Sequence, residues 1–264
     1  MPIPRILTIA GSDSGGGAGI QADIKTITML GGHAMTALTA LTAQNTVGVT
    51  QVMPVPAAMV IAQIDAVAGD IGVDAVKIGM IGSAEVADAV AERLGRSDFG
   101  GITIVFDPVM IATSGAALAD KQTIAAFERL MARATLVTPN LPELALLVDR
   151  AIGDGDALAR AAGMLAGRTG GAVLAKGGHL DGPEVVDILI ADGRERRWRD
   201  DRIATRHSHG TGCTLSSAIA TGLGAGMDLE DAIDRGRAFV RASLLAAPGL
   251  GAGHGPMGQG SVLR

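Results

Sequence analysis

The chain has a single cysteine, Cys213, and it closes the run His209-Gly210-Thr211-Gly212-Cys213 directly before an apolar stretch of helical period, Thr214 to Leu223. Glycines let a backbone turn tightly and present its N–H groups, and a helix N-terminus adds partial positive charge. Such a turn suits a transferring phosphoryl group or a developing anion. In the first turn of that helix the same field is expected to lower the thiol pKa of Cys213, so that a thiolate can take a proton from a substrate hydroxyl. The competing reading of a lone cysteine is a small buried hydrophobe. The Gly-Thr-Gly turn before it favours chemistry.

Lys176 follows the apolar run Ala172 to Ala175 and begins Lys-Gly-Gly-His, where an ammonium can reach triphosphate oxygens across a bare glycine turn. Asn140-Leu141-Pro142-Glu143 sets an amide and a carboxylate at the start of a helix. Glu143 can hold Mg²⁺ through water, or it can simply be a first-turn carboxylate favoured by the helix dipole. The loop Gly11 to Gly19 lacks the Gly-Lys-Ser/Thr ending of a Walker A loop, yet it permits close approach to a flat ligand. Asp23, one turn into the following helix, and Gln44, after the second strand, can read a heterocycle by paired hydrogen bonds if they face a shared pocket, or either can simply be exposed to solvent. Arg194, Arg196, Arg197 and Arg199 surround Trp198 but adjoin Asp200 and Asp201, which reads as a solvated edge rather than an anion site.

These residues need a scaffold, and the alternation of β-branched runs with Ala-rich helical stretches predicts a parallel sheet covered by helices on both faces. Strands are expected over Arg5–Ala10, His33–Leu41, Ala75–Ile78, Ile102–Phe106, Leu136–Val137 and Ala172–Ala175. Helices are expected over Gly19–Leu30, Pro56–Ala68, Ser83–Leu94, Lys121–Met131 and Asp156–Ala166. A hairpin, Val185–Ile190 with Arg194–Trp198, then precedes two closing helices, Thr211–Leu223 and Leu229–Leu245. Polar and glycine-rich segments follow nearly every strand: Gly11 onward, Gly79-Met80, Asp107-Pro108, Thr138-Pro139-Asn140 and Lys176 onward. Ligands of open parallel sheets bind at the carboxyl ends of strands, so these segments should meet on one crest.

Composition narrows the field. With 264 residues and 48% hydrophobic content the chain suffices for one α/β domain spanning residues 1–264. A net charge of −5 without long single-sign runs offers no face for nucleic acid and no polybasic membrane patch. No apolar stretch reaches the ~18 residues of a membrane span. The opening residues carry no signal-peptide pattern and one cysteine cannot form an internal disulfide, which points to the cytoplasm. Histidine and cysteine spacings give no zinc site.

Taken together, the segments IAGSDSGGGAGIQADIKT (Ile9 to Thr26), ALTAQNT (Ala40 to Thr46), DPVM (Asp107 to Met110), TPNLPE (Thr138 to Glu143), KGGH (Lys176 to His179) and HGTGCTLSSAIA (His209 to Ala220) resemble the hydroxymethylpyrimidine/phosphomethylpyrimidine kinases of thiamine biosynthesis, in the ribokinase-like superfamily. They occur in family order across almost the whole length. The resemblance implies a three-layer α/β/α sandwich with a mostly parallel central sheet. It implies ATP- and Mg²⁺-dependent phosphorylation of 4-amino-5-hydroxymethyl-2-methylpyrimidine and then of its monophosphate. On this reading Cys213, Lys176, Gly210, Thr211 and Gly212 carry the transfer, and Gln44, Asp23, Gly11 and Met80 hold the pyrimidine. Asn140, Lys176 and Thr211 hold ATP, and Glu143 and Asp107 hold the metal. Exposed sheet edges suggest a homodimer.

There are departures from the family pattern: Thr113 where many members carry lysine, Ile78 where threonine is common, and a His254-Gly255-Pro256-Met257 tail without the usual Asn-His ending. Alternatives are a pyridoxal or pyridoxine kinase of the same cysteine-containing branch, and a non-catalytic binder of pyrimidines or nucleotides.

Overall fold

In the computed structural model, which describes residues 2–111 and 118–262, the apolar run after Arg5 becomes β1 (Arg5–Asp13), buried along most of its length. A strand apolar on both faces needs cover on both sides. Helices α1 (Gly19–Met29), α7 (Thr211–Gly224) and α8 (Leu229–Leu245) supply it on one face through Ile27, Leu215, Ile219 and Ile233. Helices α2 (Ala57–Asp70), α3 (Ala84–Leu94), α4 (Lys121–Met131), α5 (Leu141–Val148) and α6 (Gly155–Thr169) pack on the other through Ile64, Val90, Phe127, Leu144 and Leu158. This is the expected α/β/α sandwich.

The remaining strands are β2 (His33–Gln44), β3 (Val49–Pro54), β4 (Ala75–Ile78), β5 (Thr103–Phe106), β6 (Leu136–Val137), β7 (Ala172–Ala175), β8 (Glu184–Ala191) and β9 (Arg194–Asp201). Among the described residues they form one nine-stranded sheet in the order β3-β2-β1-β4-β5-β6-β7-β8-β9. From β2 to β7 the pairing is parallel, while β3 at one edge and β8 and β9 at the other run antiparallel to their neighbours. The chain leaves β1 towards β2 and returns on its other side as β4. A crevice therefore opens beyond the carboxyl ends of β1 and β4, a switch point of the kind where open sheets bind ligands.

Four strands outrun their sequence-based bounds, β8 by one residue at each end and β9 by three among them. After a bulge between Ala10 and Ser12, β1 continues through Asp13 because Ser12 and Asp13 still pair with Leu41 and Thr42. β2 reaches Gln44 because β3 pairs with it. β3 itself was not anticipated: five of its six residues are exposed, so burial leaves little pattern and backbone pairing to β2 holds it. The arginine-rich hairpin strand β9 is an edge whose cations meet acids, Arg196 with Glu230 and Asp234, and Arg197 with Asp156 and Glu195. Trp198 lies on its inner side, stacked 4.6 Å under the Arg196 guanidinium and hydrogen-bonded to Asp234 of α8. Among the described residues no helix is long and apolar enough to cross a membrane.

Candidate active site

The strand ends open on one cavity of about 770 Å³. Cys213, Gly212, Thr211 and Gly210 line it from the start of α7, and Lys176, Asp107, Asn140 and Glu143 from the ends of β5, β6 and β7. Gly11, Met80 and Gln44 line its other end. Parallel strands bring residues scattered over more than half the sequence to one crest, as the junction pattern implied.

At the β1 end, the Asp13 carboxylate accepts the backbone N–H groups of Gly15 (2.8 Å), Gly17 (3.0 Å) and Ala18 (2.8 Å), winding the glycine-rich loop around itself. His209 Nε2 lies 2.9 Å from the same carboxylate and 3.2 Å from Gln44 Nε2, which ties the loops after β1, β2 and β9 together. Burial alone would raise the Asp13 pKa. The bonds from His209 and the loop amides outweigh it and hold the carboxyl below its ordinary value. Asp13 was overlooked in the sequence, although an acid leading into Ser-Gly-Gly-Gly is an Asx-turn signal.

Gly210 caps α7 in the left-handed region (φ 85°), and any Cβ there would overlap the Gly17 carbonyl oxygen. The two glycine loops can touch because that side chain is absent. Beyond the turn, a Cβ on Gly212 would stand 3.0 Å from Lys176 Nζ and 3.2 Å from Asp107 Oδ2. Lys176 Nζ in turn donates to Asp107 Oδ1 at 2.7 Å, as does Thr138 Oγ1 at 3.1 Å. Burial opposes the charge on Lys176, but Asp107 and Glu143 hold its pKa above the usual lysine value. A fixed ammonium thus stands directly against a bare helix N-terminus at the cavity wall.

Asn140 and Glu143 close a reciprocal capping box on α5: Asn140 Oδ1 accepts the Glu143 N–H at 2.9 Å, and Glu143 Oε2 accepts the Asn140 N–H at 2.8 Å. Glu143 is therefore the helix-capping carboxylate that was one of its two readings, and it also borders the cavity. Burial pushes its pKa up to about 7, with Lys176 pulling it down and Asp107 adding to the rise. Two carboxylates that share one ammonium leave negative charge uncompensated at the cavity wall. Among the described residues no three His, Cys, Asp or Glu side chains gather into a metal cage. A pair of carboxylates beside space for phosphates fits Mg²⁺, which keeps most of its waters and takes few protein ligands.

Two expectations need correction. Cys213 lines the cavity at the helix N-terminus, but its thiol is pushed up to about 11, not lowered. Burial outweighs the pull of Lys77, and Asp23 and Asp107 add to the rise. Asp23 does not face the cavity. It is fully buried and its oxygens are engaged by Lys77 Nζ (2.9 Å to each), Thr8 Oγ1 (2.5 Å) and Ser217 Oγ (2.7 Å), so it has no contact left for a heterocycle. The helical period put Asp23 on the inner side of α1, which is the sheet side and not the cavity side. Thr113 lies outside the described residues.

The far end of the cavity carries an apolar patch, Val185 on β8 with Val240 and Leu244 on α8, beside the charged Asp187, Asp200, Arg202, Arg237 and Arg241. The glycine turn after Lys176 is braced there: the Gly177 N–H donates to Asp187 Oδ1 at 3.0 Å, and Asp187 is paired with Arg237 of α8, which also meets Asp200. The Arg202 guanidinium gathers the carbonyls of Gly178 (2.8 Å), Leu180 (2.5 Å) and Gly182 (2.9 Å). Neither arginine has a local sequence signal, because each partner is remote in the chain. The cavity offers a flat-ligand end, a wall where a cation and helix amides lie side by side, and an end with an apolar patch.

A model of the phosphomethylpyrimidine kinase family matches residues 13–258. The chain is 51% identical over 256 residues to the hydroxymethylpyrimidine/phosphomethylpyrimidine kinase of Rhizobium meliloti, covering 95% of each chain. It is 48% identical over 259 residues to the thiamine biosynthesis bifunctional protein ThiED of Geobacter sulfurreducens, and there it spans 97% of its own length but 52% of the relative's. Among solved structures, an ADP complex of Bacillus subtilis pyridoxal kinase superposes with a TM-score of 0.91 at 30% identity, covering 99% of each chain.

Proposed function

Because the chain belongs to the phosphomethylpyrimidine kinase family, we infer that it phosphorylates 4-amino-5-hydroxymethyl-2-methylpyrimidine and then the resulting monophosphate, with ATP as donor, in thiamine biosynthesis. The observation that carries this reading is the close approach of the Lys176–Asp107 pair to the bare Gly212 turn, beside Cys213 on the cavity wall. The pyrimidine is held at the Gly11, Met80 and Gln44 end, and the nucleotide lies along Asn140, Thr211 and Lys176 towards the apolar end. Glu143 and Asp107 would hold Mg²⁺ through water, and the ion would supply positive charge against the ATP phosphates.

In the first transfer the substrate hydroxyl oxygen bonds to the γ-phosphorus, and the bond to the β–γ bridging oxygen breaks with its electron pair leaving on ADP. The hydroxyl proton passes to Cys213 Sγ. Lys176 and the amides of Gly210, Thr211, Gly212 and Cys213 receive the spreading negative charge. In the second transfer a phosphate oxygen is the nucleophile, so no alcohol must be deprotonated. Residues 1–264 act as one kinase unit, and we read it as a cytoplasmic homodimer.

The likeness to a pyridoxal kinase favours a second substrate, since pyridoxal also carries a hydroxymethyl group on a flat ring. ADP formation measured with the hydroxymethylpyrimidine, its monophosphate, pyridoxal and ribose tests both readings. Turnover with the first two is expected, and absence of turnover with every alcohol would leave a non-catalytic binder instead.

A further inference from the structure

Lys77 and Asp23 form an ion pair with both side chains 0% exposed, and no step of the transfer uses either of them. Burying two charges carries a large desolvation cost, and apolar replacements of such pairs are often neutral or stabilising, so stability is a weak reason for the pair. Its position is more telling. A Cβ on Gly79 would lie 2.7 Å from Lys77 Nζ, so the ammonium sits against the backbone at the crevice between β1 and β4. Asp23 grips that ammonium and also receives Ser217 Oγ at 2.7 Å. Ser217 follows Cys213 by four residues on α7, which puts the two side chains on one helix face at a Cβ separation of about 5–6 Å.

The thiol therefore stands one helical turn from the residue that anchors the pair. The charged groups acting on it are Lys77 from β4, Asp23 from α1, Asp107 from the end of β5 and Lys176 from the end of β7. Lys176 is turned to Asp107 and the Gly212 turn. Lys77 is left with no phosphate to serve.

We propose that Lys77 is a positioning cation for Cys213, fixed by Asp23 so that a buried positive charge stands behind the sulfur as it loses its proton. The role rests on the reading of Cys213 as the base, but its test does not depend on turnover. Cys213 is the single cysteine, so the rate of iodoacetamide alkylation of the free enzyme reports its thiolate fraction alone. Lys77→Met is expected to slow alkylation at pH 8.5 by about tenfold, the effect of one pKa unit. Asp23→Asn, which removes the opposing carboxylate, is expected to speed it, and the double variant should fall between wild type and Lys77→Met. A merely structural pair would shift both single variants in the same direction or not at all, and either outcome overturns the proposal.

Should these variants not fold, the wild-type protein answers the question, because it has only four lysines, Lys25, Lys77, Lys121 and Lys176. With ¹³C-labelled lysine, the Lys77 resonance should inflect at the pH where the thiol titrates and lose that inflection in Cys213→Ser. A resonance that stays flat through the thiol titration overturns the proposal. If the alkylation order holds while Cys213→Ser still turns over the alcohol normally, the base assignment is the part that fails and the Lys77 coupling stands.

Discussion

At the scale of single residues, the proposed role of Cys213 as base makes the first transfer depend on pH. Pushed up to about 11, it is largely protonated at neutral pH, so the fraction able to accept the hydroxyl proton grows as pH rises. The rate constant kcat/KM for the alcohol should increase by close to tenfold per pH unit between about pH 7 and 9, while the monophosphate, which needs no such base, should show a flat profile over that range. Cys213→Ala is expected to lower kcat for the alcohol by about 10²–10⁴-fold and that for the monophosphate far less. Equal losses for both substrates would put the cysteine's role in the phosphate cradle. Which residues reach the cavity was largely legible, since Cys213, Lys176, Glu143 and Gln44 stand beside glycine turns or strand ends. What they do there was less so: the thiol shift depends on Lys77, Asp23 and Asp107, all remote in sequence, and the same remoteness hid the Asp13–His209 bond.

At the scale of elements, the glycine turns of β1 and α7 are one structural unit, and Gly210 is the contact between them. Gly210→Ala meets both a left-handed backbone and the Gly17 carbonyl. It should cost about 1–3 kcal/mol of stability, read by urea denaturation, and weaken ATP and pyrimidine binding together. On the opposite wall, Arg237 and Asp187 are 8% and 9% exposed. Arg237→Ala leaves the Asp187 charge buried and is expected to cost about 3–5 kcal/mol in the same measurement. The long, strongly patterned helices and the buried strands could be read directly, because their apolar period is their cause of folding. β3 could not, since an exposed strand paired on one side is specified by its partner β2 and not by its own side chains. The extra residues at the ends of β1 and β2 were missed for the same reason.

At the scale of the molecule, the cavity draws its two ends from opposite edges of the parallel core, and the proposed Mg²⁺ would complete its charge balance. Glu143, with a pKa near 7, carries its charge above that pH and is neutral below it. Metal affinity should therefore fall on acidification, with the apparent KM for Mg²⁺ rising about tenfold from pH 8 to pH 6 as the carboxylate takes up its proton. Sedimentation velocity tests the proposed homodimer. One further property follows from Trp198. The chain has no tyrosine and no second tryptophan, so its near-ultraviolet emission arises from a single indole. That ring is held between Arg196 and Asp234, and Asp234 belongs to the helix whose Val240 and Leu244 wall the apolar end of the cavity. The protein thus carries its own optical probe, tied through Asp234 to the helix that walls the proposed nucleotide end and distant in the sheet from the pyrimidine end. Titration with ADP should change its intensity or wavelength, whereas titration with the pyrimidine alone should leave it dark to the event.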